Sequence, residues 1–155
     1  MFDMIINKDI FKYNNENIYD TLINSFSNET HEDDIKQEET IIIITTNKQF
    51  VYKELIRAVG KNKYIIIEHI ELSTHNIEIE LKIFNTDRLI RFLIFNIDRG
   101  HQELRGYKGE CVIVDVNTLN KTIQSFIIEQ IKPVLLSMNV YKIEDKPFHG
   151  ILLFK

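Results

Sequence analysis

The sequence predicts an α/β fold, a mixed and partly parallel sheet flanked by helices. Three observations lead there. A fully apolar β-branched run, Ile41-Ile42-Ile43-Ile44, is followed by a polar turn and an amphipathic helix pattern, which is half of a strand–helix–strand crossover. Ile77, Ile79, Leu81 and Ile83 alternate with Glu78, Glu80 and Lys82, the period of a half-buried strand. A second apolar run, Cys111-Val112-Ile113-Val114, ends at Asp115 and precedes a long apolar stripe at four-residue spacing, as expected of another strand and its helix. Buried strands joined by helices call for helix layers against a sheet.

Residues 1–28 predict an N-terminal appendage of one short strand, around residues 4–6, and one helix. Ile18, Leu22 and Phe26 recur every fourth residue and share a helical face. Residues 29–40 are acidic and nearly without apolar side chains, which predicts a solvated loop or, functionally, a docking segment for a partner. The α/β domain then covers residues 41–155. Asn47 is an N-cap candidate for a helix over residues 48–59. Val51, Leu55 and Val59 form its inner face with Phe50 beside them, and Gly60 stands where a C′ glycine would end it. Strands are predicted over residues 64–72, 77–83 and 89–97, with a hairpin turn at Asn85-Thr86-Asp87. Residues 98–109 contain Gly100, Gly106 and Gly109 and read as a loop before the strand that ends at Asp115. Leu119, Ile123, Ile127, Ile131, Leu135 and Met138 predict a long helix, kinked or split near Pro133. Strands over residues 140–143 and 150–154 close the chain.

Composition bounds the function classes. The chain has 155 residues, 44% hydrophobic and 27% charged, which suits one ordinary globular domain. A single cysteine, Cys111, excludes an internal disulfide and fits a reducing compartment, so a cytoplasmic location is expected. The net charge is −4, which gives no general attraction to nucleic acid or to anionic membrane. Residues 1–7 lack a basic leader, and no apolar run nears the ~20 residues that span a bilayer. Membrane partners are therefore not expected. Ile, Asn and Lys are abundant while Ala58 is the one alanine, the imprint of an A/T-rich genome such as that of a phage, a large DNA virus or some bacteria and protists.

The segment Leu104-Arg105-Gly106-Tyr107-Lys108-Gly109-Glu110-Cys111-Val112-Ile113-Val114-Asp115 carries the functional signal. A basic glycine-containing loop leads into a buried strand whose C-terminal end holds a carboxylate, and ligands of open α/β sheets bind at that edge. An acid there can hold Mg²⁺ beside nucleotide phosphates. Asp115, Asn117 and Thr118 are equally placed to cap the following helix. The segment resembles the Walker B region of the large terminase ATPases that package viral DNA, and of related helicase-like ATPases. Thr46-Asn47-Lys48-Gln49 and Ile131-Lys132-Pro133-Val134-Leu135 are similar to other motifs of that family, in the same order. The resemblance covers roughly residues 40–141.

Two departures limit what the resemblance implies. Val116 stands where the family has its catalytic Glu, so no general base is evident. A G-x-x-x-x-G-K-[ST] phosphate loop is also missing from the sequence. The expectation is a non-catalytic, degenerate copy that is not active alone and has no cofactor beyond a weak or vestigial Mg²⁺ at Asp115. Arg99, Arg105, Tyr107 and Lys108 are the expected contacts to nucleic acid or to a protein partner, with Arg88 and Arg91 adding positive charge nearby. A small protein-binding module is the alternative. A Mg²⁺-dependent nuclease on Glu80 and Lys82 is a third reading. His69, His75, His101 and His149 lack the spacing of a zinc site.

Overall fold

The computed structural model describes residues 10–13, 18–27, 38–96, 111–115, 140–143, 146–149 and 151–154. In chain order these form β1 (Ile10–Tyr13), α1 (Ile18–Ser27), β2 (Glu38–Thr45), α2 (Lys48–Gly60), β3 (Ile65–Leu72), β4 (Ile77–Ile83), β5 (Leu89–Asn96), β6 (Cys111–Asp115), β7 (Val140–Ile143), β8 (Lys146–His149) and β9 (Ile151–Phe154). Seven strands make one sheet in the order β1-β9-β6-β2-β5-β4-β3, and β7 pairs with β8 in a separate ribbon. From β1 to β5 every pairing is parallel, whereas β4 is antiparallel to both β5 and β3. The fold is α/β, with a mixed, partly parallel sheet.

The centre of the sheet is its most apolar part. Ile41, Ile42, Ile43 and Ile44 of β2 are all fully buried, as a strand covered on both faces requires. On one face Ile41, Ile43, Phe92, Ile94, Ile79 and Ile113 meet α1 and α2. The helices bring Leu22, Ile23 and Phe26 from α1, and Val51, Leu55 and Val59 from α2. Phe26 packs edge-on against Phe92, with ring centroids 6.2 Å apart. Both helices therefore serve the same face and the same core.

α1 is part of the main core and β1 pairs with β9 at the sheet margin. The strand expected around residues 4–6 lies outside the described residues; β1 is Ile10–Tyr13. β2 also begins at Glu38 rather than at residue 41, because Glu38, Glu39 and Thr40 pair with Leu89, Ile90 and Arg91. Gly60 is the last helical residue, and Lys61 caps it at φ −86°, so no left-handed glycine ends α2. Phe50 is 56% exposed and stands off the core. The hairpin turn is as read: Asn85 adopts φ 61°, a left-handed conformation that Asn tolerates. The long helix expected between β6 and β7 lies outside the described residues. Among the described residues no helix is long and apolar enough to cross a membrane.

Candidate functional site at the C-terminal edge of the sheet

Parallel strands that stop together build an edge. β5, β2 and β6 end in register at Asn96, Thr45 and Asp115, which occupy one row across the sheet. Thr45 follows Ile43 by two residues, and Ile43 belongs to the helix-side core, so Thr45 and its partner Asn96 lie on the face that α2 covers. β6 is central in the sheet, between β9 and β2. The chain leaves β2 through Thr45, Thr46 and Asn47 and enters α2 directly above this row.

The start of α2 is closed by protein oxygens. Asn47 Oδ1 accepts from the Phe50 N–H (3.1 Å), and Asn96 Oδ1 accepts from the Lys48 N–H (3.1 Å). Thr45 Oγ1 accepts from the Asn47 N–H at 3.2 Å. A helix start would otherwise leave several N–H groups for an anion. A phosphate here would have to compete with Asn47 and Asn96 for the same donors. Lys48 is turned away as well: its Nζ donates to the Thr74 carbonyl at 2.9 Å, in the turn between β3 and β4. The role of Asn47 as N-cap was legible in the sequence. Asn96 was not, because only the register of β5 against β2 brings it there.

This row also sets how well Mg²⁺ would fit. Thr45 and Asn96, the oxygen-bearing neighbours of Asp115 in its row, already accept backbone N–H groups. Among the described residues no three His, Cys, Asp or Glu side chains converge on a common cation position.

Of the basic residues, Arg88 and Arg91 are described, and they lie on opposite faces of the sheet. Arg99, Arg105, Tyr107 and Lys108 lie outside the described residues. Arg88 is not a surface charge: it is 5% exposed and pairs with Glu39 at 2.6 Å. The reason is register, since position 88 precedes Ile90 and Phe92 on the helix-side face. Its guanidinium also donates to the Phe26 carbonyl (3.4 Å) and lies over the Phe26 ring. Arg91 faces the other way and bridges Glu78 (2.9 Å) and Glu80 (3.1 Å). Those are the carboxylates that a Mg²⁺-dependent nuclease would need, and here a guanidinium holds them.

On the same outer face, a cleft of about 410 Å³ lies between Ile66, Glu68, Lys82, Phe84 and Asp87. It sits by the turn joining β4 to β5, at the opposite end of the strands from Thr45 and Asn96. His69 and His75 are exposed; His69 Nε2 lies 3.8 Å from Glu71. Comparison of the chain with family models, with curated proteins and with solved structures finds no match.

Proposed function

We propose that this chain is a non-catalytic protein of the terminase-like or helicase-like type, of viral or phage kind. It acts in DNA packaging or as an assembly subunit, with protein and nucleic acid as its partners. Its place of action is the cytoplasm, meaning the host-cell interior where the source is a virus. One observation carries the reading. The strand that ends at Asp115 is central in the sheet and parallel to β2, as the order of the motifs implies for a degenerate copy of that fold. The closed start of α2 agrees with a role in binding rather than hydrolysis.

In this reading Arg99, Arg105 and Lys108 contact phosphates and Tyr107 stacks on a base. Asp115 is a weak or vestigial Mg²⁺ ligand. The test is fluorescence anisotropy of a labelled duplex titrated with the chain over a range of salt. Wild type is expected to bind, with affinity falling as salt rises. The R99A/R105A/K108A variant should lose about 2–3 units of the log–log salt slope, close to one per phosphate contact removed. A wild type that ignores DNA at low salt, or a triple variant that binds like wild type, removes nucleic acid from the reading. Sustained ATP hydrolysis by the purified chain alone would contradict it outright, since Val116 and the missing phosphate loop leave no base and no cradle.

A further inference from the structure

We propose that the chain pairs with a second copy of itself through β3, antiparallel and about a two-fold axis, with Glu68 of each copy opposite His69 of the other. The inference stands apart from the functional reading above and rests on the margin of the sheet. β3 is the terminal strand of the sheet order, so one side of its backbone has no neighbouring strand among the described residues. Such an edge is a template for another strand. Apolar side chains lie along it: Leu72 is 60% exposed, Ile66 41% and Ile67 37%. Tyr64 and Phe84 are exposed at its N-terminal end.

The irregularity in β3 selects the partner. Ile65 and Ile67 pair with Ile83 and Leu81 of β4; the register then shifts, and Ile70 and Leu72 pair with Ile79 and Ile77. All four β4 residues are on the core face, so Ile65, Ile67, Ile70 and Leu72 share that face, with Glu68 as the extra residue. A strand of this pattern is complementary to itself in one register. With Glu68 opposite His69, Ile67 faces Ile70, Ile65 faces Leu72, and every pair occurs twice by symmetry. A slip of one position sets Glu68 against Glu68 or His69 against His69. Two carboxylates directly opposite are destabilising, and two imidazoles opposite leave each Glu68 without a donor from the other copy. A bulge carrying a carboxylate ordinarily protects an edge, but here the second copy supplies an imidazole to meet it. The contact is isologous and closes at two copies. A single strand pairing gives a small interface of the transient class, so the dimer should be weak and reversible.

Sedimentation velocity of the full chain tests this. At ~100 µM, a concentration that populates a micromolar complex, wild type should approach twice the 18.4 kDa chain mass. E68K should weaken association about tenfold by removing both Glu68–His69 contacts across the axis. E68K/H69E should restore it, because each amine then faces a carboxylate across the axis. I67K should abolish it while far-UV circular dichroism stays that of wild type. A wild type that remains monomeric at this concentration overturns the proposal, leaving the edge for a different chain. So does a dimer that E68K and I67K leave intact, or an E68K/H69E variant no stronger than E68K alone.

Discussion

Arg88 and Glu39 form an ion pair with both side chains 6% exposed. Removing one partner leaves a buried charge, which costs about 3–5 kcal/mol. Arg88→Met and Glu39→Gln should each lower stability by that order in urea unfolding. The double change R88M/E39L should recover much of the loss, because a well-packed apolar pair can replace a buried ion pair. The sequence reads Arg88 as part of a basic cluster and does not show its pairing with Glu39. Glu39 sits in an acidic run and Arg88 in a turn, and the alternation that buries them is set by β2 and β5 lying in register. Asn85 is the opposite case, legible from its place between two strand patterns. Its φ of 61° makes Asn85→Val unfavourable by about 1–2 kcal/mol, whereas Asn85→Gly should be near neutral.

At the scale of the element, the two helices were readable and their anchoring was not. Periodicity marks Leu22 and Phe26 in α1, and Val51, Leu55 and Val59 in α2, because burial on one helical face leaves a repeat of about 3.6 residues. Nothing in one sequence tells where that face docks. Phe26 is 1% exposed and lies against both Phe92 and Arg88. Phe26→Ala should therefore cost about 3–5 kcal/mol in urea unfolding. Arg57 ties the helices together from outside, with Asp20 of α1 at 3.2 Å and Glu54 of α2 at 2.6 Å. Hydrogen bonds to Glu54 and then to Asp20 raise its pKa above the ordinary value. The pair is solvent-facing, so Arg57→Ala should lower the melting temperature slightly at low salt and not at high salt. Asn96→Ala removes an acceptor from the start of α2. Its expected loss is about 1 kcal/mol, as for a cap. β8, with Pro147 inside it, gave no strand signal, since proline speaks against a ladder position.

For the whole molecule, the class of fold followed from the sequence, while the strand order did not. Four consecutive buried isoleucines announce a central strand, and β4 announces its solvated face by alternation. That β6 and β5 flank β2, and that β9 comes between β6 and β1, depends on contacts between segments far apart in the chain. Asp115 was identified as the end of a strand; its row with Thr45 and Asn96 became visible only with the register. The expected association through β3 also belongs to this scale, because an edge exists only once the order is known.

The pairing of β1 with β9 has a kinetic consequence. Ile10 meets Ile151 across 141 residues (151 − 10), and Ile41 meets Cys111 across 70 (111 − 41). Ladders of such long span close slowly, because the entropy of the intervening loop is lost before any contact forms. The run from β3 through β5 is local and can assemble first. On the ribosome, β1 must wait for the 141 residues that separate Ile10 from Ile151 before β9 exists to receive it. During that interval the margin of β6 that β9 will occupy lacks that partner, and an unpaired margin favours aggregation of the nascent chain until β9 is made.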